Sequence, residues 1–395
     1  MHTLPGLSVY PSAEPFSLPP CSCTMAFPRR SRHWLLIPLL AVALLGGYLA
    51  REELAIARRA GARPPSGAAG TITVYFTTPE LVYPDVPRSR RAPAPERALL
   101  ADLEAARERI ELVSFEYNLP SIGAALARAQ ARGVAVRLAL DRESLHHPAM
   151  ASWAGVVEEA GIPVSWEQSD GFLHSKFVII DRRVVWTGSW NATINDTYRN
   201  NNNLLRISAP QVVANYIAEF ERMAAGRFGN AKTGPTPYPL VRLPGATIAT
   251  YFSPHEPVRS RVLAQLQRAR VRIDVLAFSF TDAAIADALI ARQQAGVPVR
   301  VVVEARNANG SGAQYGRLLG AGLEVLKDGN CYTMHHKLMI IDERVVITGS
   351  YNFTGRAEDV NDENLLIIDD PALARAFAAE FARVYRQARL PLRCV

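Results

Sequence analysis

Two segments of this 395-residue sequence carry the same polar residues at the same spacing. The two sets are His174, Lys176, Asp181, Ser189 and Asn191, and His335, Lys337, Asp342, Ser350 and Asn352. Imidazole, ammonium, hydroxyl and amide groups together supply what cleavage of a phosphodiester requires: a nucleophile, an acid for the leaving oxygen, and positive charge on the non-bridging oxygens. Neither set alone fills both imidazole roles. We therefore predict one active site where the two segments meet, with the lysines supplying the charge and no metal required.

The residues after each lysine predict how these groups are positioned. An apolar run follows Lys176 and Lys337 and predicts a β-strand. Residues two apart on a strand point to the same side, so each histidine and its lysine should share one face. A turn at residues 181–183, or 342–344, then predicts a second strand that ends in Gly-Ser-x-Asn. This hairpin would bring the hydroxyl and amide close to the imidazole.

The repetition extends beyond the motifs. Residues 110–115 match 273–278 and residues 133–137 match 296–300, both at an offset of 163, and the motif residues recur at 161. The starts of the copies correspond at a different offset, which predicts an insertion at residues 81–95 of the first copy. In each copy strand patterns alternate with helix patterns. This alternation predicts two α/β units, each with helices packed on a mostly buried sheet.

At these motifs the chain resembles the phospholipase D superfamily, whose signature is H-x-K-x4-D followed by G-S-x-N. The resemblance covers residues 71 to about 388. It implies an α/β fold of two similar lobes, each a mixed β-sheet flanked by helices, duplicated with pseudo-two-fold symmetry and with the active site between the lobes. It also implies cleavage through a phosphohistidine without a metal or cofactor. Ser189, Asn191, Ser350 and Asn352 would bind the phosphate, and Asp181 and Asp342 would support the structure.

The resemblance further assigns roles to the two histidines. Relatives carry an acid downstream that orients the histidine of the opposite lobe, and Glu363 lies 28 residues after His335 at that place. Carried over, Glu363 orients His174, which attacks, while His335 acts as acid and then as base. Lys176 and Lys337 complete the catalytic set. Asn202 occupies the equivalent place in the first copy, so we expect His335 to have no carboxylate partner.

Composition adds only broad limits. The chain is 49% hydrophobic and 21% charged, which is typical of a globular protein, and its length suits two domains. The net charge of +7 suits an anionic partner such as nucleic acid or an acidic membrane. Six further histidines are expected to be incidental: His2, His33, His146, His147, His255 and His336. The four cysteines lack zinc-ligand spacing, and Cys331 with Cys394 is either a disulfide or two unrelated thiols.

The amino-terminal part predicts targeting or anchoring. Residues 34–50 are uninterrupted and apolar, follow three arginines, and fit either a retained membrane anchor, which we favour, or a cleaved signal. The anchor would hold the lobes outside the cytoplasm, and cleavage would secrete them. Translation could start at Met1 or Met25. The predicted organisation is a tail at 1–70, a first lobe at 71–228, a linker at 229–246 and a second lobe at 247–390.

The motif identifies the bond that is cleaved and leaves the substrate open. A phospholipase D that removes phospholipid head groups is favoured, because the apolar segment would hold the lobes beside a bilayer. A metal-independent endonuclease is the main alternative, supported by the net charge. A cardiolipin-synthase-type transferase and an inactive binding module are weaker alternatives. No obligate protein partner is inferred.

Overall fold

The computed structural model describes residues 70–77 and 92–391. Over these residues the chain forms two sheets with helices packed on them. The elements of the first lobe are β1 (Ile72–Thr77), α1 (Ala94–Ala105), β2 (Arg109–Ser114), α2 (Pro120–Ala131), β3 (Ala135–Asp141), α3 (Pro148–Glu159), β4 (Val164–Glu167), β5 (Phe177–Ile180), β6 (Val184–Gly188), α4 (Ile194–Tyr198), β7 (Asn202–Ile207) and α5 (Pro210–Ala224). Helix α1 begins at Ala94, so the predicted insertion at 81–95 ends inside that helix.

The second lobe repeats this order after one additional strand. Its elements are β8 (Leu240–Leu243), β9 (Ala246–Ser253), α6 (Val258–Arg268), β10 (Ile273–Ala277), α7 (Ala283–Gln294), β11 (Val299–Val303), α8 (Tyr315–Gly320), β12 (Glu324–Lys327), β13 (Lys337–Ile341), β14 (Val345–Gly349), α9 (Gly355–Asp359), β15 (Glu363–Asp369) and α10 (Pro371–Arg389). Strand β8 lies within the predicted linker at 229–246, and it pairs with β9 at the edge of the second sheet.

The two sheets share one topology. The first has the order β1-β7-β6-β5-β2-β3-β4, and the second has the matching order β9-β15-β14-β13-β10-β11-β12, with β8 added beside β9. The β2-β3-β4 and β10-β11-β12 pairs are parallel and the others are antiparallel. Both sheets are therefore mixed. The predicted α/β class, with two similar duplicated lobes, is confirmed.

The motif hairpins lie at the centre of each sheet. Strands β5 and β13 are buried along their whole length, as expected for strands covered on both faces. Each turn has two successive residues with positive φ, at 51° and 57° for Asp181 and Arg182, and at 54° and 55° for Asp342 and Glu343. Positive φ at successive turn residues matches the right-handed twist of the strands in a hairpin. The hairpin fixes the separation between the histidine–lysine segment and the Gly-Ser-x-Asn segment.

Each turn aspartate is held by the backbone of a neighbouring segment. The Asp181 carboxylate accepts hydrogen bonds from the backbone amides of Arg107, Glu108 and Arg109, at 2.7–3.2 Å. Asp342 accepts the equivalent bonds from residues 270–272. These amides lie at the entry to β2 and β10, next to the motif strands. Each aspartate therefore ties its hairpin to the neighbouring strand.

Helices α5 and α10 pack between the two sheets and form a core that both lobes share. The buried faces of these helices contribute Tyr216 and Phe220 from α5, and Phe377 and Phe381 from α10. Complete burial of a phenylalanine side chain contributes about 1.5–3 kcal/mol. Separate apolar clusters lie on the outer faces of the two sheets. The shared core thus holds the lobes in one fixed arrangement.

The junction between the lobes repeats the pseudo-two-fold relation in its hydrogen bonds. Asn203 Nδ2 donates to Thr348 Oγ1 at 2.7 Å, and the equivalent Asn364 Nδ2 donates to Thr187 Oγ1 at 2.9 Å. Backbone bridges join Leu173 with Asp362, and Asn201 with Met334. The bridges lie next to the motif histidines. The two copies of the motif are therefore registered against each other.

Some predicted features fall outside the described residues. These are the apolar segment 34–50, the alternative start at Met25, His2, His33 and Cys394. Cys331 is disulfide-bonded. Across residues 70–77 and 92–391, no helix combines the length and hydrophobicity needed to cross a membrane.

Candidate active site

The two motif histidines lie at the junction of the lobes, immediately before their strands. His174 precedes β5 and His335 precedes β13, and the two side chains are 8% and 9% exposed. The strands begin at Phe177 and Lys337, so they do not include the histidines, which were expected to share a strand face with their lysines. The histidines are instead fixed by the cross-lobe bridges, since the His335 backbone amide donates to Asn201 O at 2.9 Å.

Glu363 reaches His174 across the junction. Its Oε2 lies 2.7 Å from His174 Nδ1 and also accepts a hydrogen bond from Ser350 Oγ at 2.6 Å. A carboxylate at Nδ1 favours the tautomer with a proton on that nitrogen, which leaves the Nε2 lone pair available. The contact is the one that the family resemblance implied. It leaves His174 with the tautomer that a nucleophile needs.

His335 has a different set of partners. Its Nδ1 lies 2.9 Å from Asn202 Oδ1, which also accepts from Ser189 Oγ at 2.9 Å. A carboxylate oxygen of Asp196 lies 3.5 Å from the same ring nitrogen. The expectation that His335 has no carboxylate partner is therefore wrong. Sequence comparison of the copies missed Asp196 because the acid stands on helix α4 instead of strand β7.

Both lysines turn back toward their own histidine. Lys176 Nζ donates to His174 O at 2.5 Å, and Lys337 Nζ donates to His335 O at 2.9 Å. Each ammonium also lies over an aromatic ring, Phe115 or Phe278, which in turn packs against the histidine of that copy. A cation over an aromatic face is attracted by the ring quadrupole. The two phenylalanines occupy equivalent positions in the copies, but they lie outside the motif and its spacing gives them no role.

Burial controls the protonation of the two motif histidines and the two motif lysines. It lowers the pKa of His174 and of His335 well below the ordinary value, and the lysine charges act in the same direction. Burial also lowers the pKa of Lys176 to about 8, and it lowers the pKa of Lys337 well below its ordinary value. An anion favours the charged form of a neighbouring base. A phosphodiester bound among these groups would therefore raise all four pKa values.

The Glu363 carboxyl responds to burial in the opposite sense. Burial raises its pKa to about 7, against the opposing influence of Lys176 and of the Ser350 hydroxyl. Its other oxygen, Oε1, is buried without a hydrogen-bond partner. This acid is thus poised to respond to charge on His174, because an imidazolium beside it would favour the carboxylate.

The Gly-Ser-x-Asn residues expected to bind phosphate also have partners within the protein. Ser189 and Ser350 donate to Asn202 and Glu363, as described above. Asn191 Nδ2 donates to Asp196 Oδ2 at 2.8 Å, while the Oδ1 atoms of Asn191 and Asn352 are buried without partners. The serines thus fix the groups that contact the histidines.

The glycine of this motif is required by close packing. A Cβ atom at Gly188 would lie 2.3 Å from Asn203 O, and one at Gly349 would lie 2.2 Å from Asn364 O. Both contacts are with backbone, which cannot move aside easily. Glycine therefore allows strands β6 and β14 to approach β7 and β15 at the level of the site.

The other described histidines take no part in this cluster. His336 is buried and pairs through Nε2 with Glu380 Oε1 at 3.1 Å, while His255 is half-buried near Glu219 and Lys232. His146 and His147 are exposed. Within the described parts of the chain, no group of three or more histidine, cysteine, aspartate or glutamate residues is arranged to hold a metal ion.

Comparison with known proteins places this geometry in a family. A family model described as "Cardiolipin synthase, PLD-like domain" matches residues 99–224 and again residues 262–385. Together the two matches cover more than half of the chain. The chain belongs to this phospholipase D-like family. Each match contains one complete copy of the motif, so the duplication seen in the sequence is a duplication of the family domain.

Curated relatives of this phospholipase D-like chain match lengths close to one copy. The human mitochondrial cardiolipin hydrolase is 39% identical over 155 residues, which are 38% of this chain and 62% of that protein. A phospholipase D of Rickettsia felis is 34% identical over 140 residues, or 35% of this chain and 70% of that protein. The chain therefore spans less than two thirds of the human relative.

Solved structures include two that this phospholipase D-like chain resembles in different ways. Phosphatidylserine synthase from Haemophilus influenzae aligns over 74% of this chain and 84% of its own, with a TM-score of 0.56 and 12% identity, which shows a shared fold. The phospholipase D family member Nuc from Salmonella typhimurium is 32% identical over 36% of this chain and 95% of its own, with a TM-score of 0.34.

Proposed function

We propose that the protein is a phosphodiesterase of the phospholipase D type, which cleaves phospholipid head groups through a phosphohistidine on His174. The observation that carries this proposal is the 2.7 Å contact of Glu363 Oε2 with His174 Nδ1, made across the lobe junction. It leaves Nε2 of His174 unprotonated beside two lysines and a second imidazole. A nucleophile, an acid and positive charge then meet in one place.

The first step forms the covalent intermediate. His174 Nε2 attacks phosphorus, and the bond from phosphorus to the leaving oxygen breaks while His335 donates a proton to that oxygen. Glu363 stabilises the positive charge that develops on the His174 ring. The products of this step are a free alcohol, a neutral His335 and a phosphoryl group on His174.

The second step releases the phosphoryl group. Neutral His335 takes a proton from water, the water oxygen attacks phosphorus, and the bond from phosphorus to His174 Nε2 breaks. Protonated His335 and the free His174 imidazole are regenerated. Lys176 and Lys337 supply charge to the non-bridging oxygens in both steps, and a pKa of about 8 leaves Lys176 charged at neutral pH.

Phospholipid is the substrate that most observations favour. Two relatives are named as a cardiolipin hydrolase and a phospholipase D, and the family model names cardiolipin synthase. In our proposal the apolar segment 34–50, outside the described residues, holds the lobes beside a bilayer on its non-cytoplasmic side. Residues 71–228 and 247–390 then act as two lobes joined by the linker at 229–246.

A nucleic acid is the second candidate, favoured by the net charge of +7. The two candidates separate in one assay, in which the full-length chain is incubated with mixed phospholipid micelles and with single- and double-stranded DNA, all in EDTA. We expect release of head groups and intact DNA. Cleavage of DNA with intact phospholipid would contradict the lipid proposal and support a nuclease. If neither phospholipid nor DNA is cleaved, the proposed phosphodiesterase activity is contradicted.

A further inference from the structure

Asp196 is a buried acid that the sequence motifs do not include. It lies on helix α4, is 2% exposed, and is held by amide groups alone. Its Oδ2 accepts from the backbone and side-chain amides of Asn191 at 2.7 and 2.8 Å, and its Oδ1 accepts from Asn200 Nδ2 at 2.6 Å. These donors fix the position of the carboxylate, but none of them carries a charge.

A buried carboxylate without a cation is costly, so the charge of Asp196 requires an explanation. Within the described residues, the one basic group whose nitrogen lies within 4 Å of this carboxylate is His335, with Nδ1 at 3.5 Å. Burial works against ionisation of Asp196, yet His335 and the amide donors outweigh it and lower the pKa of Asp196. Asp196 is therefore a fixed negative charge beside the His335 ring.

In the second copy a single residue, Glu363, supplies both the hydrogen bond and the negative charge to a histidine. Glu363 Oε2 contacts the His174 ring and accepts from Ser350 Oγ. In the first copy Asn202 Oδ1 makes the equivalent contacts with the His335 ring and Ser189 Oγ, but an amide brings no charge. The position equivalent to Asp196 in the second copy is Ala357. The acid therefore lies on strand β15 in the second copy, as Glu363, and on helix α4 in the first copy, as Asp196.

We propose that Asp196 supplies to His335 the negative charge that Glu363 supplies to His174, with Asn202 keeping only the hydrogen bond. The inference rests on the proposed function, because it assigns Asp196 to the residue that acts there as acid and base. Asp196 touches no reacting atom in this account. It is a positioning residue that stabilises the imidazolium form of His335 from which the leaving oxygen takes its proton.

The other groups around His335 make this charge necessary. Burial and the charges of Lys337, Lys176 and His174 all disfavour the imidazolium, while Phe278 packs against the ring and offers no charge. Among the strongest influences on the pKa of His335, Asp196 is the one that favours protonation. Its removal should therefore make His335 a weaker source of protons.

The test compares Asp196→Asn with the wild-type chain in two measurements. The pKa of His335 is read by NMR, and formation of the phosphoryl-enzyme is timed in single turnovers with an alkyl and with a nitrophenyl phosphodiester. We expect the pKa of His335 to fall by about one unit or more. Cleavage of the alkyl ester should slow about 10- to 100-fold. The nitrophenyl ester should slow less than about threefold, because its leaving oxygen needs no proton.

Two double variants provide a matched comparison that differs in one charge. Asp196→Ala with Asn202→Glu reproduces the second-copy arrangement, and Asp196→Ala with Asn202→Gln is its neutral counterpart. We expect the first to restore alkyl-ester cleavage to within about threefold of wild type and the second to stay at least about tenfold slower. These variants also decide the question if Asp196→Asn fails to fold. Asp359→Asn, an exposed acid on the equivalent helix α9, should behave as wild type.

Three results would overturn the inference: an unchanged pKa of His335 in Asp196→Asn, equal slowing of both esters, or equal activity of the two double variants. Failure of the proposed function has a different signature. In that case the wild-type chain cleaves neither ester, while the NMR titration of His335 still reports whether Asp196 controls its charge.

Discussion

The two motif histidines are equivalent in sequence but not in their surroundings. His174 contacts a carboxylate directly at 2.7 Å, whereas His335 contacts an amide at 2.9 Å and a carboxylate at 3.5 Å. A directly hydrogen-bonded carboxylate fixes the tautomer and stabilises charge that develops during attack. The looser arrangement at His335 suits a group that must give up a proton and regain it. The asymmetry therefore supports His174 as nucleophile and His335 as acid and base.

Replacement of either histidine should abolish turnover. His174→Ala removes the nucleophile and His335→Ala removes the acid, so steady-state hydrolysis of a phospholipid should fall by at least about 100-fold in each. The exposed His146→Ala is the matched control and should keep wild-type activity. Full activity in either motif variant would contradict a site shared between the lobes.

The lowered pKa of Lys176 predicts how phosphate affinity depends on pH. Since that pKa is about 8, the ammonium is charged at pH 7 and loses its proton as the pH rises through 8. In the unreactive His174→Asn variant, the Kd of a phosphodiester measured by calorimetry should therefore rise above pH 8, by at most about tenfold per pH unit from this group.

Lys176→Arg in the same background provides the control for that titration. Its guanidinium stays charged over this range, so the rise in Kd should be smaller. A Kd that stays constant between pH 7 and 9.5 in the lysine protein would mean that Lys176 does not contribute charge to binding.

At the scale of elements, the hairpins could be predicted because their local signals agree. The apolar run, the turn at residues 181–183 or 342–344 and the final glycine-serine all indicate the same structure, and the structure has it in both copies. The helix α4 carried no such signal. It has five residues, and its one functional acid has no counterpart in the second copy. The one sequence signal for the role of Asp196 is a pair of differences between the copies. The first copy has an acid at 196 where the second has Ala357, and it lacks an acid at 202 where the second has Glu363.

Lys232, in the linker, is a second residue whose role could not be predicted from the sequence. Lys232 is one of four lysines among 44 basic residues, and no sequence motif includes it. In the structure it is buried and contacts Glu219 Oε1 and Asp362 Oδ1, each at 2.5 Å. Such a pairing joins residues far apart in sequence, so neither periodicity nor motif spacing could predict it.

The turn aspartates should contribute stability and leave the chemistry unchanged. Burial works against ionisation of Asp181, but the three backbone amides outweigh it and lower its pKa. A lowered pKa means that the stabilisation is present above the ordinary aspartate pKa and is lost as the pH falls below it. In urea unfolding at pH 7, Asp181→Asn should lose about 0.5–1.5 kcal/mol, because the site is partly exposed and asparagine keeps one acceptor oxygen.

The same measurement at pH 3 should show a smaller difference between Asp181→Asn and wild type. Asp342→Asn removes the charge and one acceptor oxygen at the equivalent place in the other lobe and is expected to have a comparable cost at pH 7. The folded fraction of each variant should keep its kcat within about threefold, because neither aspartate contacts an imidazole. Loss of kcat without loss of stability would place the aspartates in the chemistry.

At the scale of the molecule, the active site exists because two copies are held in one arrangement. The shared core under α5 and α10 and the paired asparagine–threonine bonds fix that arrangement. The duplication and the location of the site between lobes could be anticipated from the sequence. The contacts that lock the lobes together could not, since Asn203 and Asn364 are polar residues in strands whose partners lie in the other copy.

Lys232→Met should test how strongly the linker is locked to the lobes. It would leave Asp362 buried without its cation and would remove one of the two cations that pair with Glu219, the other being Arg222. Breaking a buried pair in this way costs about 3–5 kcal/mol. We expect that loss in urea unfolding at pH 7. Lys327→Met, at a partly exposed lysine, is the control and should change stability by less than about 1 kcal/mol. Equal stability of the two variants would contradict the assigned role of Lys232.

The central claim is that His174 carries the phosphoryl group, and direct detection of that intermediate tests it. In His335→Asn the acid and the water-activating base are absent, so a nitrophenyl phosphodiester should react once and stop. Mass spectrometry should then find the phosphoryl group on the peptide that contains His174, and Glu363→Gln should slow its formation. Phosphoryl label on the His335 peptide of His174→Asn, with none on His335→Asn, would contradict the account and reverse the two roles.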